Sequence, residues 1–285
     1  MPRPTLKNSS NGKVNARVVN KSPSSDAIPT REFAGFFAPF SDLISKNAPF
    51  AVAVSGGADS MALCLLADLW AKMRGCQVIA LTVDHGLRAE AAAEAKTVAS
   101  WLFACDIEHH ILSWQGVKPA SGIQAAAREA RYALMMDWCQ ENNVNVLMTA
   151  HHLEDQVETF LLRAERGSGL DGLACMAAET KVSGITLLRP LLSVSKNRLR
   201  ETLIALNQDW LEDPSNQNPA YRRSKMRKLV AAMEQSGQDA NRLSASIEYF
   251  ACLRRSTSEI VTVFINKAVQ IFPEGYGVVQ GDVLR

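Results

Sequence analysis

The 285-residue chain contains no apolar run of about twenty residues, which argues against a membrane-spanning helix. Near its start it lacks an apolar stretch ahead of a small-residue cleavage site, so a secreted protein is not expected. No two of its six cysteines (Cys64, Cys76, Cys105, Cys139, Cys175 and Cys252) form a C-x-x-C pair. That spacing disfavours a disulfide frame or a zinc site and fits reduced, mostly buried thiols of a cytoplasmic protein. No repeat of fixed period is visible. The glycine-rich turn at Gly56-Gly57 is not followed by Gly-Lys-Ser/Thr, so it is not a Walker A loop.

What is present is a chain with 47% hydrophobic residues, enough for one good core and an appendage. The net charge of +2 is uninformative, but its distribution is not. Residues 1–31 hold six Lys or Arg against one acid, Asp26, among Ser, Asn and Pro, and read as a disordered basic arm. From Arg189 to Lys228 nine basic residues face four acidic ones, bunched at Arg222-Arg223-Ser224-Lys225-Met226-Arg227-Lys228.

Hydrophobic periodicity predicts alternating strands and helices. Strands are expected at Ala51–Val54, Val78–Val83, Ile107–Leu112 and Val144–Thr149. Helices are expected over Asp59–Met73, Ala89–Phe103, Ile123–Gln140 and Leu153–Arg163. Such alternation predicts an α/β fold, a doubly wound parallel sheet covered on both faces. Around Pro214 the texture changes to turn chemistry followed by helix. The expected organisation is thus the arm, a domain over 32–214, and a smaller, mostly helical domain over 215–285.

In such a sheet ligands bind where the carboxyl ends of strands lead into helices. The stretch Ser55-Gly56-Gly57-Ala58-Asp59-Ser60 is such a loop. Its glycines allow close backbone approach, and the next helix presents unpaired N–H groups with partial positive charge. That makes an anion site suited to phosphate, with the Ser55 and Ser60 hydroxyls as further donors. Asp59 reads either as the helix N-cap or as a ligand for magnesium beside the phosphates.

The Ser-Gly-Gly-x-Asp-Ser string after a strand resembles the pyrophosphate-binding loop of the ATP-pyrophosphatase (PP-loop) superfamily. Five further motifs follow in order: Asp84-His85-Gly86-Leu87-Arg88, Ala127-Arg128-Glu129-Ala130-Arg131-Tyr132, Thr149-Ala150-His151-His152-Leu153-Glu154-Asp155, Arg189-Pro190-Leu191-Leu192 and Asp213-Pro214-Ser215-Asn216. Over Ala51 to about Lys228 the series resembles the tRNA(Ile)-lysidine synthetase family. The resemblance implies a Rossmann-like ATPase domain and a ligase. Such an enzyme uses ATP to adenylate C2 of the wobble cytidine in a CAU-anticodon isoleucine tRNA. L-lysine then displaces AMP to give lysidine. The implied cofactors are ATP and magnesium; the implied partners are that tRNA and lysine, with no membrane and with room for a homodimer. Two departures stand out: Glu154 replaces an Asp of the His-His-x-Asp-Asp pattern, and Cys175 replaces a Gly in Gly-Leu-x-Gly-Met, which bears on how that loop bends.

The residues can be weighed against that chemistry. On a continuous helix His151, Asp155 and Glu158 would share one face, with Leu153, Val157 and Phe160 on the other. Clustered acids repel one another and suit a cationic amino acid better than a merely solvated surface. Free lysine is neutral in only roughly one molecule per 2,500 at pH 7, so a base must free its amine. Asp155, Glu158 and His151 are the choices. Arg128 and Arg131, three apart, suit phosphate oxygens or structural pairs with Glu129 or Asp137. The expected catalytic set is therefore Asp59, Arg128, His151, Asp155 and Glu158. Nucleotide contacts are expected from Ser55, Gly56, Gly57, Ala58, Asp59, Ser60 and, by the resemblance, Asp84. Arg222, Arg223 and Arg227 are expected on tRNA phosphates. Two other readings remain: a different PP-loop tRNA-modifying enzyme such as a thiolase, and a nucleotide-dependent tRNA-binding module without turnover.

Overall fold

The computed structural model describes residues 26–116, 118–119, 121–212, 230 and 240–281. The expected arm over 1–25 and the basic run at 222–228 lie outside the described residues. The chain divides into two compact units. The first holds the described residues 26–151 and 179–212, and the second holds 152–178 and the described residues of 216–285.

The first unit begins with helix α1 (Thr30–Phe37) and a 3₁₀ turn at Ala38–Leu43. Then follow β1 (Pro49–Ala53), α2 (Ala58–Arg74), β2 (Gln77–Asp84), α3 (Ala91–Ala104), β3 (Glu108–Ser113), α4 (Ile123–Glu141) and β4 (Val146–Met148). After the second unit's first segment, the chain returns with β5 (Glu179–Val182), β6 (Ile185–Leu188) and α7 (Lys196–Ala205). The six strands form one sheet in the order β3-β2-β1-β4-β6-β5. Only the β5–β6 pair is antiparallel. Its turn uses Ser183 and Gly184, both at positive φ, as a tight two-residue hairpin requires. The doubly wound sheet expected from the periodicity is present, and the hairpin was not anticipated.

Side chains alternate across the strands, so each face has its own core. Val52 and Val54 face a cluster with α2, α1 and α7, including Met61, Leu63, Leu66, Leu199 and Leu203. Ala51, Ile79, Leu81 and Leu147 face Met135, Met136 and Cys139 of α4. Phe33 and Phe37 of α1 stack toward Trp70, with ring centroids 4.9 and 4.5 Å apart in turn. α2 is buried along most of its length because it is covered on both sides, and Gly75 in the left-handed region ends it.

β1 pairs with β2 on one side and β4 on the other, both parallel. The chain therefore winds one way from β1 to β3 and the other way from β4, and the switch point lies between β1 and β4. A crevice opens there, at the carboxyl ends of the strands. The sequence supplies that place with Ser55–Ser60 after β1 and Thr149–His151 after β4.

The second unit contains α5 (Leu153–Glu165), a helical turn α6 (Leu170–Leu173), α8 (Ala240–Ala268) and a hairpin of β7 (Val269–Ile271) and β8 (Gly277–Val279). Leu153 and Val157 of α5 pack with Cys175, Val230 and Ile247. That shared core explains why α5, expected inside the domain over 32–214, groups with the C-terminal residues instead.

Candidate active site

The loop after β1 is held by its own hydroxyls. Ser60 Oγ donates to the Gly57 carbonyl at 3.0 Å and accepts from the Ser55 N–H at 3.1 Å. A hydroxyl has one proton, so Ser55 Oγ is the donor in its 3.1 Å contact with Ser60 Oγ. Both hydroxyls, expected as phosphate donors, are therefore engaged within the loop. Gly56 sits at φ 84°, and its carbonyl accepts from Leu211 N–H at 2.9 Å. A Cβ there would meet Val98 Cγ2 at 2.6 Å and Leu211 Cδ1 at 2.7 Å, so only glycine fits. Gly57 is the N-cap of α2, at φ −69°, with no such crowding. This corrects the N-cap reading of Asp59: it stands in the first turn, after Ala58, where a carboxylate favours the helix dipole.

The loop opens into a cleft of about 430 Å³. Ser55, Gly57, Asp59 and Ser60 form a polar end, and Leu87, Ile123 and Met135 form an apolar wall. The size and the mixture suit a nucleotide. Arg128, Arg131 and His151 also line it. Arg128 lies over the Tyr132 ring at 5.1 Å. Burial pulls the Arg131 guanidinium below its ordinary pKa; Tyr132 opposes the shift and the Arg128 charge adds to it. The same three influences act on Arg189, whose Nη1 donates to Thr180 Oγ1 at 3.0 Å. Three guanidiniums thus lie within electrostatic reach of Tyr132. Such a cluster suits a polyanion.

His151 was expected on the helix with Asp155 and Glu158. Instead α5 starts at Leu153 with His152 as its cap, and His151 lies before it in the strand-to-helix connection. There its Nδ1 is 3.0 Å from Thr149 Oγ1. Asp84 does not line the cleft; its Oδ1 accepts from Gly86 N–H at 2.9 Å and shapes the turn that brings His85 to the wall. Burial, with Arg88, holds His85 below its usual pKa, against the opposing charge of Asp84.

Sequence reasoning missed two contributors. His109 Nε2 lies 2.8 Å from Thr82 Oγ1, and Thr82 Oγ1 donates to the Val54 carbonyl at 2.8 Å. Thr82 has no second proton, so His109 is the donor and its ring is the Nε2–H tautomer. The pair anchors the strand end from which the loop departs. The other is Lys196, whose Nζ lies 3.5 Å from Asp59 Oδ2.

In the second unit Asp155 is not simply solvated. Its Oδ2 accepts from the His152 N–H at 3.1 Å, and His152 Nδ1 is 2.8 Å from Glu154 Oε2. Glu158, expected on an open acidic face, is buried at 4% exposure beside Val157, because α5 turns that side inward. Cys175 adopts φ 54°, in the left-handed region that favours glycine, at a cost in strain. Its carbonyl accepts from Arg163 Nη1 at 3.4 Å and Arg254 Nη1 at 3.3 Å. Among the described residues, no group of three or more His, Cys, Asp or Glu side chains is arranged to hold a metal. Asp59 and Glu94 are the carboxylates among the lining residues of the cleft, a sparse set that fits a magnesium ion held mainly by phosphates and water rather than by a protein cage.

A family model described as the PP-loop domain matches residues 27–234. The chain belongs to the PP-loop family. Its relatives within that family include the tRNA(Ile)-lysidine synthase of Rhodopseudomonas palustris, 45% identical over 221 residues, 76% of this chain and 62% of that protein. The Zymomonas mobilis protein of the same name is 46% identical over 185 residues, 64% of this chain and 55% of its own. This PP-loop chain therefore spans less than two thirds of the length of these relatives. The structure of the U34-tRNA thiolase NcsA from Methanococcus maripaludis, with its [4Fe-4S] cluster, superimposes with a TM-score of 0.66. That alignment covers 79% of this chain and 77% of the thiolase, at 16% identity, and speaks for the PP-loop fold alone.

Proposed function

We propose that the chain is the ATP-cleaving part of a tRNA(Ile)-lysidine synthase. The observation that carries the reading is the self-bonded Ser55–Ser60 loop at the sheet's switch point, opening into a cleft lined by Arg128, Arg131 and His151. The names of its relatives support the substrate.

In this reading the β- and γ-phosphates of ATP rest on the loop and the N-terminus of α2. Arg128, with Arg131 beside it, faces the α-phosphate, where charge builds as the cytidine O2 attacks and pyrophosphate leaves. Magnesium, held by Asp59 together with phosphate oxygens, would supply further charge neutralisation there. The neutral amine of L-lysine then attacks C2 and AMP departs. His151, within the cleft, is the base we assign to the amine's proton. Arg222, Arg223 and Arg227 contact tRNA backbone phosphates, and the protein acts in the cytoplasm.

The test is pyrophosphate release from ATP with and without unmodified CAU-anticodon isoleucine tRNA and lysine. Release that needs the tRNA, with lysidine formed only when lysine is added, is the expected result. Release that needs a sulfur donor instead of lysine would assign the chain to the thiolases. No release under any condition would leave a binding module.

A further inference from the structure

The Ser55–Ser60 loop carries two adjacent glycines, so the peptide unit between Gly56 and Gly57 has no Cβ on either side. Such a unit can turn over at little steric cost. One orientation points the Gly57 N–H into the cleft. The other points the Gly56 carbonyl there, and its partial negative charge would repel a phosphate. The site therefore needs something outside the pair to fix the choice. We propose that Leu211 is that positioning residue: its backbone N–H holds the Gly56–Gly57 peptide so that the Gly57 N–H faces the phosphate. The inference rests on the reading of the loop as an ATP site.

The Leu211 N–H donates to the Gly56 carbonyl at 2.9 Å, and a parallel bridge pairs Leu211 with Gly57. Across a planar trans peptide the carbonyl and the following N–H point in opposite directions. With the Gly56 carbonyl taken by Leu211, the Gly57 N–H is turned away from that segment. Gly57 is the glycine of the pair that lines the cleft. The Leu211 side chain backs the same peptide, since its Cδ1 lies 2.7 Å from where a Cβ on Gly56 would stand.

Leu211 can act as a lock because its own segment is fixed on both sides. Trp210 is buried in the core that α2 and α7 share, and its Nε1 donates to Glu212 Oε1 at 3.0 Å. Arg200 of α7 reaches the same oxygen through Nη2 at 3.4 Å. Upstream, the Gln208 N–H donates to the Leu203 carbonyl at 2.9 Å, and Gln208 Nε2 donates to the Asp209 carbonyl at 2.8 Å. The donor thus comes from beyond α7, on a rigid segment. The serine hydroxyls hold the ends of the loop, and Leu211 sets the peptide in its middle.

The test replaces Leu211 in the whole chain by its α-hydroxy acid, which puts an ester oxygen where the N–H stood and keeps the side chain. A second ester, at Thr186, removes an N–H that donates to the Asn145 carbonyl at 2.8 Å, a backbone bond made away from the loop. Calorimetry then follows inorganic pyrophosphate and, separately, AMP, which lacks the phosphates assigned to the loop. The Leu211 ester should bind pyrophosphate about tenfold more weakly, because only a fraction of its loops presents the N–H. AMP affinity should stay within about twofold, and the Thr186 ester should bind both ligands as the wild type does. Leu211→Ala, which keeps the N–H, should lose less than about threefold for pyrophosphate. Wild-type pyrophosphate affinity in the Leu211 ester would overturn the assignment. Equal losses of pyrophosphate and AMP, or equal losses in the two esters, would overturn it too, since the bond would then only hold the fold together. A larger loss in Leu211→Ala than in the ester would move the role to the side chain and overturn the peptide lock. If the wild type binds neither ATP nor pyrophosphate, the ATP-site reading itself falls, and this inference with it.

Discussion

His109 should make the stability of the first unit depend on pH in a way that one substitution removes. Its ring is neutral and donates from Nε2 to Thr82, which in turn donates to the Val54 carbonyl. Burial, with the adjacent His110, pushes its pKa down to about 4 from an ordinary 6.5. The unfolded chain therefore takes up a proton that the folded chain refuses between those values. This part of the stability is fully present above pH 6.5 and drains away as the pH falls toward 4. The whole effect has an upper bound of about 3 kcal/mol, of which about 2 kcal/mol is gone at pH 5. His109→Gln keeps an N–H donor for Thr82 but cannot titrate. Urea unfolding at pH 7.5 and pH 5.0 should show the wild type losing about 2 kcal/mol more than the variant, since every other group is common to both. Parallel losses in the two proteins would refute the neutral, donating ring.

The two glycines of the loop should separate folding from binding. Gly56→Ala drives a Cβ into Val98 and Leu211 at positive φ and should cost about 2–3 kcal/mol in thermal unfolding. Gly57→Ala, whose nearest neighbour is Ser55 Oγ at 3.6 Å, should stay within about 0.5 kcal/mol of wild type and lose ATP affinity instead; the reverse order would refute the loop geometry. Cys175→Val should destabilise by about 2 kcal/mol, because a β-branched residue fits poorly at φ 54°, whereas Cys175→Gly trades relief of strain against lost burial and should change stability by less than about 1 kcal/mol. Equal unfolding midpoints for the Val and Gly variants would contradict this. Arg223→Ala with Arg227→Ala should weaken isoleucine tRNA binding and lower the log–log salt slope by nearly one unit per lost contact, with ATP affinity unchanged. An unaltered slope would place the tRNA contacts elsewhere.

The elements legible in the sequence are those with a local signal. The alternating strands, the helices beginning at Ala58 and Ile123, and the loop between β1 and α2 each announce themselves within a few neighbouring residues. Two side-chain expectations failed because one boundary decides many orientations. Treating His151 as helical put it in phase with Asp155 and Glu158, but the helix starts after His152, and burial beside Val157 turns Glu158 inward. The pairings that sequence could not reveal are non-local. Lys196 meets Asp59, and His109 meets Thr82, only because the sheet order and the packing of α7 on α2 bring distant segments together. Cys175 was legible as a departure from a glycine pattern, yet only its backbone angle shows that it stands in the left-handed region that favours glycine.

The hydroxyl bonds among Ser55, Gly57 and Ser60 have a consequence for kinetics and for heat. A loop that closes on itself meets the entropic cost of its ordering when the protein folds, at roughly 1–2 kcal/mol per residue. An arriving phosphate then finds a formed cradle and exchanges hydrogen bonds with water rather than freezing a floppy segment. Association with the loop should thus be limited by encounter and charge, not by rearrangement. Its binding entropy should lack the large unfavourable contribution that marks coupled folding.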